Sequence, residues 1–155
     1  MIVYQNDKTG FLKDAFGKDI EDIILQAFRA RTGRSVAISE VLSWKESLVA
    51  LAKVLNDEDI PGDCGVAIEY GIPQTAKRID FILSGQNPQR VEQLIIIELK
   101  QWQSARKTDR DAVVTTRFSH GESQVSHPSY QAWSYASLLK NFNEAVYEDD
   151  IALQP

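Results

Sequence analysis

The chain has 155 residues, 43% of them hydrophobic and 25% charged, which fits one soluble domain with a core of its own. No apolar run approaches a membrane span and Met1-Ile2-Val3-Tyr4-Gln5-Asn6 has no signal-peptide pattern, so the cytoplasm is the expected location. A single cysteine, Cys64, excludes an internal disulfide, a zinc ribbon and a four-cysteine iron–sulfur cluster. A net charge of -5 argues against nucleic-acid binding by the surface as a whole and leaves room for a local basic groove.

The first five residues suit a short strand or an arm, and Asp7-Lys8-Thr9-Gly10 is turn-like. Apolar residues at Leu12, Phe16, Ile20, Ile23, Ile24, Ala27 and Phe28 predict a helix from about Phe11 to Arg31. Gly17 interrupts its first turns, and Gly33 lies just past its end, where a helix cap belongs. On that wheel Glu21 sits at the edge of the buried stripe and Asp22 on the far side, so of the two only Glu21 can look inward. A second helix is predicted from Ser39, a good N-cap, to Leu55, with Trp44 packed against its apolar face. Asn56-Asp57-Glu58-Asp59 reads as a solvated acidic loop.

Three strands follow: Val66 to Tyr70, Arg78 to Leu83, and Leu94 to Lys100, with short links that favour antiparallel neighbours. Ile95-Ile96-Ile97 predicts a strand covered on both faces. Gln101 to Asp111 reads as a polar, partly basic connector, Ala112 to Thr116 as a strand and Phe118 to Ser126 as a loop. Pro128 opens a helix that continues through Trp133 to about Asn141. Glu148-Asp149-Asp150 begins an acidic tail that ends on Ile151-Ala152-Leu153, the start of another strand. Strands in the middle with helices before and after predict an α/β (α+β) fold, a mixed central sheet flanked by helices.

Asp80, Glu98 and Lys100 are charges in strands that are otherwise apolar. Side chains alternate along a strand, so Glu98 and Lys100 share a face, and Asp80 joins them if the two strands are neighbours. Charge in such a place is costly unless it is paired or bound to a metal. Carboxylate oxygens suit Mg²⁺ or Mn²⁺, which activates a bound water and neutralises charge on a phosphate. A neighbouring lysine orients that water or stabilises the transition state. An acid-x-lysine triplet alone is common on exposed strands; this one ends an isoleucine run. Gln131 and Tyr135, four residues apart on one helix face, flank the apolar stripe of Ala132, Ala136 and Leu139. They either hydrogen-bond a site at its rim or mark the boundary of an ordinary amphipathic helix.

Arg78, on the face of Asp80, is a candidate phosphate or carboxylate contact. Arg106, Lys107, Arg110 and Arg117 either line a phosphate groove or belong to a solvated connector paired with Asp109 and Asp111. Glu69 is a spare ligand or a residue of an edge strand, the second account being the simpler one. His120 and His127 suit capping or solvent better than chemistry.

Together these residues resemble the PD-(D/E)xK nuclease superfamily, whose signature is an acid on one strand, an acid-x-lysine on the next and often a glutamate on the first helix. Arg78-Ile79-Asp80, Glu98-Leu99-Lys100 and the Gln131 to Tyr135 helix look like its RecB-type branch. Met1 to Gln5, Ile72 to Ile82 and His127 to Trp133 are similar to the N-terminal region of bacterial Schlafen-like DNA/RNA helicase proteins. The resemblance implies a restriction-endonuclease-like domain over 1–145, with 146–155 beginning a connection to a helicase-type region. It implies Asp80, Glu98 and the Leu99 carbonyl as ligands of Mg²⁺ or Mn²⁺, and Lys100 acting on the water. Glu21 becomes the first-helix acid, while Gln131 and Tyr135 steady the site or the DNA.

The implied activity is endo- or exonucleolytic hydrolysis of DNA by metal-activated water, in DNA processing or defence against foreign DNA. No proline precedes Asp80, and the sequence has no phosphate-binding Gly-x-x-x-x-Gly-Lys-Ser/Thr loop, so no ATPase activity is expected of this stretch. An RNase, or a non-catalytic nucleic-acid-binding or docking module attached to a helicase, are the alternative readings. The sequence leaves the oligomeric state open.

Overall fold

Five strands form the central sheet of the computed structural model, which describes residues 1–17 and 19–155. The chain opens with β1 (Ile2–Asp7), then α1 (Lys8–Gly17), α2 (Ile20–Thr32) and α3 (Ile38–Leu55). The hairpins β2 (Gly65–Gly71), β3 (Arg78–Gln86) and β4 (Glu92–Ile97) follow. A separate group comprises β5 (Ala105–Lys107), β6 (Val113–Phe118) and β7 (Gly121–Ser126). The chain closes with α4 (Pro128–Phe142), α5 (Glu144–Glu148) and β8 (Ala152–Gln154). The main sheet runs β1-β2-β3-β4-β8, antiparallel except for the parallel β4–β8 pair, and β5-β6-β7 form a small antiparallel sheet. This is the mixed, helix-flanked sheet that the order of elements predicts. Among the described residues no helix is long and apolar enough to cross a membrane.

Hydrophobic side chains sort onto the two faces of the sheet. Phe11, Ile20, Ile24 and Leu48 of α1 to α3 pack against Val3, Val66, Ile68 and Phe81 on one face. Ala132, Ala136 and Leu139 of α4 and Val146 of α5 pack against Ile79, Ile82 and Ile96 on the other. Each large side chain buried this way contributes about 1.5–3 kcal/mol. At β4 the two cores meet: Ile96 faces the α4 side and Ile97 the α1 to α3 side, while Ile95 stays 39% exposed. The strand is covered on both faces only at that end, and it stops at Ile97, so Glu98, Leu99 and Lys100 lie just past it rather than within it.

Several boundaries differ from expectation for local reasons. Asp7 accepts a hydrogen bond from the Gly10 N–H at 2.6 Å and so caps a helix where a free turn is predicted. The long first helix is two, α1 ending at Gly17 and α2 starting at Ile20. Gly33 does close α2, at φ 65° with its N–H on the Arg29 carbonyl at 2.9 Å. Helix α3 starts at Ile38 with Ala37 in the cap position, so Ser39 is not the cap. β5 and β7 fall in the predicted connector and loop: all three β5 residues are exposed and β7 has one apolar residue, Val125, so neither carries an apolar alternation. Residues 152–154 pair with Gln93, Leu94 and Ile95, which makes the tail an edge strand of the main sheet.

One irregularity positions the site. Val66 and Ile68 face the α1 to α3 core, yet Tyr70 packs on the opposite core; Phe81 and Leu83 face the first, yet Ile79 the second. The alternation breaks at Glu69 and Asp80, which stand opposite each other between the pairs Ile68–Phe81 and Tyr70–Ile79. Glu69 has a left-handed backbone, φ 57°, a conformation that costs a residue with a side chain about 1–2 kcal/mol.

Candidate active site

A cleft of about 180 Å³ opens between α3 and the irregular ends of β2 and β3. Glu40, Trp44, Glu69, Arg78, Asp80, Leu99 and Lys100 are among its lining residues. Asp80 enters from β3, and its Oδ2 accepts the Leu99 N–H at 3.0 Å. That bond locks the segment beyond β4 against the end of β3 and brings Glu98 beside Asp80.

Glu98 is buried, its side chain only 3% exposed. Its two oxygens are treated differently. Oε1 accepts from Lys100 Nζ at 2.5 Å and from Gln131 Nε2 at 2.5 Å, whereas Oε2 is buried without a hydrogen-bond partner. Gln131 Nε2 also donates to the Tyr135 hydroxyl at 2.7 Å. Five residues singled out from the sequence, Asp80, Glu98, Lys100, Gln131 and Tyr135, therefore form one connected group, with Gln131 and Tyr135 contributed by α4 on the far face of the sheet.

Burial pushes the Asp80 carboxyl above its ordinary range, against the Leu99 N–H, Lys100 and Arg78, which pull it down. Burial also raises Glu98, Lys100 opposes this, and the charge of Asp80 adds to the rise. The two carboxyls lie within hydrogen-bonding reach of each other. Burial raises the Tyr135 phenol too, which keeps it protonated at neutral pH, and Lys77 Nζ lies 5.9 Å from its ring centroid.

A second cluster forms the other wall of the cleft. Glu69, 3% exposed, accepts from Trp44 Nε1 at 2.6 Å through Oε1 and pairs with Arg78 Nε through Oε2. Arg78 Nη2 reaches Glu40 Oε1 at 2.7 Å, and the guanidinium sits 5.8 Å from the Phe28 ring centroid. Burial pushes Glu69 up to about 7 despite the pull of Arg78 and the Trp44 bond. Arg78 thus contacts carboxylates, one of its two expected roles. Glu69 is no edge residue, because β2 lies between β1 and β3. The signal for it was present: a lone acid in Val66-Ala67-Ile68-Glu69-Tyr70 is the same anomaly that marks Asp80.

Glu21 is buried, as its place on the helical wheel predicts, but it lies apart from the cleft lining. Its Oε1 accepts from Lys45 Nζ at 2.5 Å, and although burial pushes the carboxyl up, that bond holds it below the usual range. The acid that the helical layer adds to the cleft is Glu40 of α3. Arg106, Lys107, Arg110 and Arg117 lie on or beside the small sheet and do not line the acid cleft. Arg106 pairs with Glu122 across that sheet, not with Asp109 or Asp111. Arg106, Lys107 and Arg110 border a separate cavity of about 530 Å³ with His127 and Tyr130. His127 caps α4, its Nδ1 accepting the Ser129 N–H at 3.1 Å.

Among the described residues no group of three or more His, Cys, Asp or Glu side chains is arranged to hold a metal. The group offers a divalent cation two facing carboxyls and one unpartnered buried oxygen. Hard oxygens of this number suit Mg²⁺ and Mn²⁺, with Mg²⁺ usually keeping several waters and binding through one or two carboxylates plus substrate phosphates. No family model, curated protein or solved structure matches this chain.

Proposed function

We propose that this chain is a Mg²⁺- or Mn²⁺-dependent nuclease domain acting on DNA in preference to RNA, with Asp80, Glu98 and Lys100 as its catalytic residues. The reading extends the resemblance to RecB-type PD-(D/E)xK nucleases, including a helicase-type region as partner, a cytoplasmic setting and a role in DNA processing or defence. The observation that carries it is Glu98, with one oxygen fixed by two donors, the other buried with no donor on it, and the Asp80 carboxyl within hydrogen-bonding reach. An unsatisfied buried acceptor costs about 1–3 kcal/mol, more when charged, and a hard cation relieves that cost together with the repulsion from Asp80.

Asp80, Glu98 and the Leu99 carbonyl are the groups that would hold the cation. When bound, it supplies Lewis acidity and a water acidified enough to attack phosphorus near neutral pH. The protein's own part is positional. The Leu99 N–H orients Asp80, and Gln131 with Lys100 fixes Oε1 of Glu98 so that the carboxylate cannot rotate. Lys100 Nζ stands beside the carboxylates, where it would orient the water or stabilise charge growing on phosphate oxygens. Tyr135 accepts from Gln131 and keeps its own proton for a phosphate oxygen.

The test is digestion of plasmid DNA, single-stranded DNA and RNA with Mg²⁺ or Mn²⁺ by the wild type and by Glu98→Gln, whose amide keeps the shape of the side chain. Metal-dependent cleavage by the wild type and none by the variant is expected. Equal cleavage by both, or an inert wild type on every substrate with both metals, overturns the reading.

A further inference from the structure

We infer that Tyr130 and Trp133 form a base-stacking platform for single-stranded nucleic acid, whose backbone runs along the groove of Lys107 and Arg110. The inference deepens the nuclease reading and rests on it for where the strand leads, but the surface binds whether or not the chain cleaves.

Two large aromatic side chains stand in solvent on α4, Tyr130 49% and Trp133 55% exposed. They are stacked, ring centroids 5.7 Å apart and planes 26° from parallel. An exposed flat pair of this kind offers what an unpaired base takes up, a π-face at low cost in side-chain entropy. The position in the sequence joins the pair to the acid group: Gln131, between them on the same helix, holds Glu98 at 2.5 Å.

Tyr130 also forms part of the 530 Å³ groove, whose charged lining is Arg106, Lys107 and Arg110 against the single acid Asp111. Residues 105–117 hold four cations against two acids in a chain of net charge -5. Arg106 is paired with Glu122, whereas among the described residues no ion pair engages Lys107 or Arg110. The His127 N–H donates to the Ala112 carbonyl at 2.8 Å, which fastens this basic turn to the start of α4 and keeps groove and platform side by side. Cations for phosphates beside aromatic faces for bases are the two components of single-strand binding. A duplex offers no free base face, so the combination selects single strands or frayed ends.

Anisotropy titrations of the full chain in EDTA, using labelled oligo-dT, oligo-U and a blunt duplex, test this without needing catalysis. The wild type is expected to bind single strands more tightly than duplex, with the tighter oligomer naming the sugar. Trp133→Ala weakens single-strand binding roughly tenfold and leaves its salt dependence unchanged, while Trp133→Phe restores most of the affinity. Lys107→Ala with Arg110→Ala lowers the slope of log affinity against log salt by about 0.7 for each phosphate that is no longer neutralised. Binding to duplex as tight as to single strands, no binding at all, or no effect of Trp133→Ala on single-strand binding overturns the platform. Intact binding with no metal-dependent cleavage overturns only the nuclease reading, and cleavage without the Trp133 effect overturns only the platform.

Discussion

Glu69 and Glu98 are two acids buried in neighbouring clusters and held by opposite means. Glu69 has Trp44 and Arg78 against its oxygens, while Glu98 has both donors on one oxygen. Burial raises both, and Asp80 with them, so the native state keeps protons that the unfolded chain has already released. Stability therefore falls as the pH rises through the window set by Glu69, from 4.5 in the unfolded chain to about 7. Glu69→Gln removes its share of that loss: urea denaturation at pH 5 and pH 8 is expected to give a smaller difference for the variant than for the wild type. On the proposed reading a divalent cation would work in the other direction, because carboxylates bind a metal only once they are deprotonated. If the chain binds Mn²⁺ as proposed, a hundredfold excess over its Kd is expected to raise wild-type stability by about 2.7 kcal/mol at pH 8 and by less at pH 5. Thermal unfolding of Asp80→Asn with and without Mn²⁺ should show no such gain; an equal gain would remove the carboxylates from the account.

At the scale of elements, the left-handed residue in β2 is what puts an acid into the cleft, and it makes an unusual demand on substitutions. Glycine adopts that backbone at little cost and alanine does not. Glu69→Gly is thus expected to be more stable than Glu69→Ala by about 1 kcal/mol in urea melts, reversing the usual order within a strand. Phe81, fully buried on the neighbouring β3 with its ring centroid 5.4 Å from that of Phe11, tests the core beneath: Phe81→Ala should cost about 3–5 kcal/mol. How much of this was legible depended on whether a pattern carried it. Asp80 stood out because charge interrupts an apolar strand, Glu98 and Lys100 because charge follows directly on an isoleucine run, and Gln131 and Tyr135 because helical spacing puts them on one face. The break in alternation at Glu69 leaves no such mark, since residue identity does not reveal a positive φ outside glycine and asparagine. Glu21 is buried as the wheel predicts and yet does not border the site, because a helical wheel reports depth and not the neighbour across it. β5 and β7 were invisible for want of any apolar face.

For the whole molecule, the two hydrophobic layers share one sheet, and the short β8 covers the outer edge of β4. Deleting residues 151–155 leaves that edge open, with Leu94 and Ile95 beside unpaired backbone groups. Light scattering is expected to show stronger concentration-dependent self-association for the truncated chain than for the intact one. The small sheet is built differently: of its residues only Val114 and Thr116 are buried. Beyond their own ladder, β5 to β7 are fastened by single hydrogen bonds such as that from His127 to the Ala112 carbonyl, whereas β3 lies in the middle of the main sheet with Ile79 and Phe81 fully enclosed. Opening the first needs little free energy and opening the second needs global unfolding. Amide deuterium uptake should accordingly fall into two classes, hours or longer for residues 79–83 and far faster for residues 105–107 and 121–126. The strands that carry Arg106, Lys107 and Arg117 are then expected to open many times during each interval in which β3, with Asp80 on it, stays closed.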